Sequence, residues 1–213
     1  MNKFSNFLIV FSLVLLIGIF IFLFSTMVLV FDLDFYKEQG LKTGVYSGFE
    51  NASYVDGAYS NLLDHFNNNQ DLLEIYSQEE VIHLSDIRNI LNGFKILFYL
   101  LFLVLFLLVF LLFKIKYKYL WLVFVCSFLV VILFSLFLYI FSTLNFERLF
   151  TGFHLISFDN NYWMLEENST LIRLFPERFF INSLSRILLN SFLLGLFCII
   201  IGLYLRKSNL NYR

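Results

Sequence analysis

Only three histidines occur in the 213 residues, and two of them have neighbours suited to moving protons. His83 sits in the run Glu79-Glu80-Val81-Ile82-His83-Leu84-Ser85-Asp86-Ile87-Arg88. Helical spacing there puts Glu79 four residues before it and Asp86 three after it on one face. A carboxylate so placed can orient an imidazole and raise its basicity, which makes Asp86 the candidate orienter. His154 sits in Thr151-Gly152-Phe153-His154-Leu155-Ile156-Ser157-Phe158, among aromatic and aliphatic side chains. Such surroundings disfavour the imidazolium and leave a neutral, basic ring. Two neutral imidazoles supply a base and an acid. The plainer reading of the first run is an exposed helix with ordinary ion pairs, Asp86 or Glu80 with Arg88. The third histidine, His65, lies beside Asp64 and just before Asn67-Asn68-Asn69, a context that reads as solvated surface.

Other chemistries have weaker signals. His83, His154 and nearby carboxylates could be assembled into a zinc set, but the chain lacks His-Glu-x-x-His and paired-cysteine spacing. No Gly-x-Ser-x-Gly elbow occurs near Ser85 or Ser157. Cys126 and Cys198 both fall inside uncharged, apolar runs, where a thiolate is disfavoured, so they make poor nucleophiles and leave the polar segments without a disulfide.

The elements that must carry these residues follow from composition. Hydrophobic residues make up 60% of the chain and charged residues 15%, more apolar surface than one water-soluble core of this size can hide. Four runs carry no formal charge: 4–31, 96–113, 119–146 and 187–205. Each approaches or exceeds the ~20 residues that cross a bilayer as a helix. The expected architecture is an all-α membrane domain over 1–213, with transmembrane helices at about 5–31, 95–114, 119–143 and 185–205. Residues 32–94 and 144–184 would then form a small extracytoplasmic cap. A cleavable signal peptide is the competing reading of the N-terminus, but the first run is long and lacks an Ala-x-Ala-like end, so a retained span is expected.

Charge orients the spans. Lys3, then Lys114, Lys116 and Lys118, then Arg206, Lys207 and Arg213 share one side of the alternation, which the positive-inside rule makes cytoplasmic. All 16 acidic residues fall on the other side, 11 within 32–95 and 5 within 147–186, as do all three histidines. Both termini are therefore expected in the cytoplasm and the reacting groups at the outer face.

Within the cap, Gly40, Gly44, Gly48 and Gly57 interrupt a polar, Tyr-containing stretch that reads as short strands or turns, giving the cap a mixed α/β character. Ser77-Gln78-Glu79-Glu80 is a capping box that predicts a helix from Gln78 to Leu91. Asn92-Gly93 predicts a break after it. Pro176 predicts the start of a short helix leading into the fourth span. Arg173, Arg178 and Arg186 could contact phosphate or carbonyl groups, while Tyr162, Trp163, Phe179 and Phe180 fit an interfacial aromatic belt. On the last span Ser191, Gly195, Cys198 and Gly202 share a face that lets another helix approach closely.

Taken together, His83-x-x-Asp86-Ile87, Phe153-His154-x-Ile156-x-Phe158, Trp163 and Leu171-Ile172-x-Leu174-Phe175-Pro176-Glu177-x-Phe179 resemble the bacterial lipoprotein intramolecular transacylases. Topology, length and motif order agree over nearly the whole chain. The resemblance implies four transmembrane helices under an extracellular cap, with His83 and His154 catalytic where the cap meets the membrane. It implies a reaction that takes the sn-2 acyl group of a diacylglyceryl-modified N-terminal cysteine and places it on that cysteine's α-amine, giving a lyso-form lipoprotein. Asp86, Trp163 and Arg173 are the supporting candidates. The implied partners are diacylated lipoproteins and membrane lipid, with no nucleic acid. Exchanging an ester for an amide is downhill, so no metal or other cofactor is expected. Two rivals stay open: a non-enzymatic assembly or accessory protein, indifferent to loss of either histidine, and a metal-dependent membrane hydrolase, sensitive to chelators.

Overall fold

The computed structural model describes residues 3–115 and 117–210; Lys116 and Arg213, both in the basic set above, lie outside them. Among the described residues the regular structure is entirely helical. The order is α1 (Lys3–Val30), α2 (Leu33–Lys42), a 3-10 turn (Val45–Gly48), α3 (Ala52–Phe66), α4 (Gln78–Lys114), α5 (Leu120–Ser157), α6 (Thr170–Leu174) and α7 (Glu177–Leu210). Helices α1, α4, α5 and α7 are each long and apolar enough to cross a membrane. The chain divides into two compact units: 1–26, 96–140 and 187–213 form the first, and 27–95 with 141–186 form the second.

In the first unit, Leu13, Val14, Ile17 and Ile21 of α1 pack with Leu105 of α4 and Val123 and Val131 of α5, and Leu194 and Cys198 of α7 lie against them. The small residues of α7 do what their spacing predicts. A Cβ on Gly202 would stand 2.9 Å from Val125 Cγ2 and 3.0 Å from the Trp121 carbonyl oxygen, so α5 and α7 approach through a gap that only glycine leaves open. On the same face Ser191 donates to Ser25 Oγ at 3.0 Å, and Ser25 in turn bonds back to the Ile21 carbonyl, so both buried hydroxyls are satisfied. Many large apolar side chains elsewhere in this unit face outward, Phe106, Phe110, Phe137 and Ile200 among them. Lipid is the solvent that suits them.

The second unit corrects the expected α/β cap: no strand occurs among its described residues. The glycines that read as strand breakers have other uses. Asp32 caps α2 by accepting from the Phe35 amide at 3.0 Å, and Asn51 caps α3 by accepting from the Ser53 amide at 2.9 Å. Between the caps, α3 buries Val55, Ala58, Tyr59, Leu62, Leu63 and Phe66, a helical three-and-four spacing. Gly40 lies inside α2 where a Cβ would meet Tyr46 and Tyr59 at 2.9 Å, and Gly44 takes the left-handed φ of 79° that ends α2 and starts the 3-10 turn. Gly57 stays within α3. Rings of Phe35, Tyr36, Tyr59, Phe175 and Phe179 pack edge-on at 4.9–5.9 Å to form the centre of this unit.

Helix α4 corrects a second expectation, since it runs unbroken through Asn92 and Gly93. A lone glycine costs a helix only ~1 kcal/mol relative to alanine, and no proline follows to enforce a stop. The Asn92 side chain is turned away from its own backbone to Asn68, which donates to it at 3.2 Å. One turn on, Lys95 donates to the carbonyl of Phe66 at 3.0 Å, supplying a partner to the C-terminal end of α3. Helix α5 does carry a kink, at Asn145 (φ −161°, ψ 78°), whose side chain accepts from the Arg148 amide at 2.9 Å and so caps the limb that carries His154. Pro176 precedes a single continuous α7, so the short helix expected there is the first turns of a longer one.

Candidate functional site

The capping box at the start of α4 is formed as its residues predict: the Ser77 amide donates to Glu80 Oε2 at 2.7 Å and the Glu80 amide to Ser77 Oγ at 3.3 Å. Glu80 also accepts from the Leu171 amide at 2.6 Å through its other oxygen. One buried carboxylate thus fastens the start of α6 to the turn of α4 just before His83. Thr170 donates to the Ile75 carbonyl and Tyr59 to the Leu174 carbonyl, both at 3.0 Å, completing the hold on the Leu171-to-Glu177 stretch.

His83 and His154 meet inside this frame. Their ring centroids are 5.9 Å apart, and each residue is more than nine-tenths buried. Phe158 stands 5.0 Å from His83 and 5.6 Å from His154. Phe150 at 4.1 Å, Trp163 at 4.9 Å and Phe153 at 5.5 Å complete the wall around His154. Phe180 packs on Phe150 behind it at 5.3 Å.

The hydrogen bonds assign part of the protonation state. His154 Nδ1 lies 2.8 Å from the Phe150 carbonyl oxygen. A carbonyl only accepts, so Nδ1 carries the hydrogen, and in the neutral ring the lone pair is on Nε2. Among the described residues, buried His83 Nδ1 has no hydrogen-bond partner. Both histidines lie in the polar ends of their helices, outside the charge-free runs. Burial pushes His83 down to about 4, with the neighbouring His154 lowering it further and Asp86 opposing. Burial also lowers His154, against the Phe150 hydrogen bond, which favours its charged form. At neutral pH both rings are uncharged.

The supporting candidates divide. Trp163 packs against His154 with its ring tilted by 34°. Asp86 lies on the face expected, but its carboxylate accepts a hydrogen bond from Asn160 at 2.8 Å and none joins it to His83 Nδ1. Its influence on His83 is through its charge. Arg173 donates to the Gly48 carbonyl and lies 4.2 Å over the Phe49 ring, tying α6 to the loop before α3. Arg186 pairs with Glu38 at 3.8 Å. His65 corrects a third expectation: it is 4% exposed, its value lowered by burial and then by Arg88. It closes the buried face of α3 beside Phe66 and takes no part with the other two histidines in their ring contacts. Sequence reasoning missed Glu80 as a fastener, the Phe150 carbonyl and Asn160. Of these only Glu80 had a signal, its place in the capping box.

Among the described residues, no three His, Cys, Asp or Glu side chains are grouped to hold a metal ion. The sequence profile of the lipoprotein intramolecular transacylases, Lit, matches residues 9–180. The chain belongs to that family. Its fold is similar to that of the membrane-integral lipoprotein intramolecular transacylase Lit from Bacillus cereus, solved in meso, with a TM-score of 0.86 over 98% of this chain and 99% of that one at 23% identity. Two further structures of the Bacillus cereus protein carry a single histidine replaced by arginine or by alanine, and superpose with TM-scores of 0.83 and 0.81 at 22% identity. They cover 98% and 96% of this chain and 95% of that one. No curated protein sequence matches the chain. With the family shown and four membrane-length apolar helices, the chain is a multi-pass membrane protein of the lipoprotein-modifying transacylases.

Proposed function

We propose that His83 and His154 are the catalytic pair that moves the sn-2 acyl chain of a diacylglyceryl-cysteine lipoprotein onto the α-amine of the same cysteine. The observation that carries this reading is the pair itself: two buried imidazoles 5.9 Å apart in an aromatic enclosure, one with its tautomer held by the Phe150 carbonyl.

His154 acts as the base. The amine nitrogen attacks the ester carbonyl carbon, and its proton passes to His154 Nε2. The resulting imidazolium is stabilised where it forms, because Nδ1–H already points at the Phe150 carbonyl. His83 donates a hydrogen bond to the oxyanion and keeps its own proton. The C–O bond to the glyceryl oxygen then breaks, and the proton taken from the amine is returned to that oxygen. An amide has formed, an ester has been lost, and no proton is gained or lost overall. Each proton transfer is worth roughly 10² to 10⁴ in rate. The larger difficulty is geometric, since the amine and the ester are distant parts of one molecule. Holding them together can supply up to ~7 to 11 kcal/mol of the barrier, and rigid aromatic walls suit that task.

The charge pattern supports a bacterial cytoplasmic membrane with both termini in the cytoplasm and the histidine pair at the outer face. Diacylated lipoproteins and membrane lipid are the partners this arrangement would meet. The reaction is tested with purified protein and a synthetic dipalmitoylglyceryl-cysteine peptide whose sn-2 chain is isotopically labelled, mixed with unlabelled peptide of a different sequence. The labelled chain should move to the amine of its own peptide. Free labelled fatty acid, or label on the second peptide, would contradict an intramolecular transfer.

A further inference from the structure

Residues 158–163 leave α5 as an irregular segment, and one side chain ties that segment down at two points. Asn160 Nδ2 donates to Asp86 Oδ2 at 2.8 Å, and Asn160 Oδ1 accepts from the Tyr162 amide at 3.0 Å. Asp86 is three residues after His83 on α4, and Trp163 follows Tyr162 directly. The Trp163 ring stands 4.9 Å from that of His154. A single amide therefore links the helix that carries His83 to the indole that packs against His154. The first bond is charge-assisted and partly buried, the kind that holds a geometry best. The second is an Asx turn, which sets where the chain goes next.

We infer that Asn160 is a positioning residue for the acyl transfer proposed above: the Asp86–Asn160 hydrogen bond is a clasp that holds Trp163 against His154 and so sets the spacing of the two imidazoles. The inference rests on that reading for its effect on rate, but not for the clasp. Asn160 touches neither ring of the pair by any hydrogen bond and acts through Asp86 and Trp163.

The substitution Asn160→Asp is nearly isosteric, and its second oxygen still accepts from the Tyr162 amide. It removes only the donor to Asp86 and sets two carboxylates against each other. The swap Asp86→Asn with Asn160→Asp restores a carboxylate–amide hydrogen bond of reversed polarity. Trp121 lies in the first unit, against Arg206, so Trp121→Phe leaves Trp163 as the single reporter among two tryptophans. In that background Asn160→Asp should increase acrylamide quenching of Trp163 and lower kcat about 10- to 100-fold with little change in KM, a loss of alignment rather than of binding. The swap should return both quantities towards the parent. Parental quenching and kcat in Asn160→Asp, or a swap no better than Asn160→Asp, would overturn the clasp. Where Asn160→Asp does not fold, Asn160→Ser serves, since its hydroxyl keeps the turn but does not reach Asp86; the same losses are expected, and parental values would again overturn the clasp. Quenching is read without substrate, so a protein that shows the clasp but no acyl transfer would sink the reaction and leave the clasp standing.

Discussion

At the scale of the residue, the proposed chemistry rests on keeping two histidines uncharged. Burial lowers the affinity of His83 for a proton to about 4, below the ~6.5 of an exposed ring. The unfolded chain therefore takes up that proton first as pH falls. Stability present above about 6.5 is lost as pH falls towards about 4. NMR of isotope-labelled histidine should find His83 neutral at pH 6, and a transition near 6.5 would contradict its buried setting. His83 and His154 were legible in the sequence because histidine is scarce here and both sit beside features that perturb an imidazole. His65 was misread, since a neighbouring aspartate says nothing about which face of α3 is buried. The partner of Asp86 was not legible either. Asn160 lies 74 positions away, and only the folded chain brings its amide to that carboxylate.

Helices place these residues, and their ends and close approaches decide where. Capping chemistry was readable where it is local: Ser77 and Glu80 form the box that their spacing predicts. The second partner of Glu80 is a backbone amide 91 positions away and left no mark in the local pattern. In α2 and α3 the glycines outweighed the apolar spacing, although Val55, Ala58, Tyr59, Leu62, Leu63 and Phe66 follow a helical period. The kink at Asn145 falls at the end of the third apolar run, where a polar side chain replaces one backbone partner. Close packing of α5 and α7 yields the prediction at this scale. Gly202→Val must push against Val125 and the Trp121 carbonyl, and should lower stability by about 1–3 kcal/mol. Thermal unfolding of the purified protein in detergent measures it, with Gly93→Ala, whose added Cβ meets nothing within 4 Å, as the comparison. Equal melting temperatures for the two would contradict the helix contact.

Across the whole molecule, the division of labour follows from which solvent each part meets. The four charge-free runs announced the membrane helices directly, because no other solvent accommodates them. Every acidic residue and every histidine falls between those runs on one side of the alternation, which is why the charge map also points to the candidate site. The proposed orientation is tested by labelling intact cells with a membrane-impermeant maleimide. A cysteine at Glu50→Cys should react at once, and one at Lys118→Cys only after the membrane is opened; the reverse order would invert the topology.

The central claim is that two histidines carry the acyl transfer. Mass spectrometry of lipoprotein N-termini, in a diacyl-lipoprotein host expressing the parent, His83→Ala or His154→Ala at equal membrane abundance, tests it most directly. The parent should yield N-acylated lyso-form lipoprotein, and each variant should lose it by at least about 10²-fold. Undiminished lyso-form product from either variant would contradict the two-histidine mechanism.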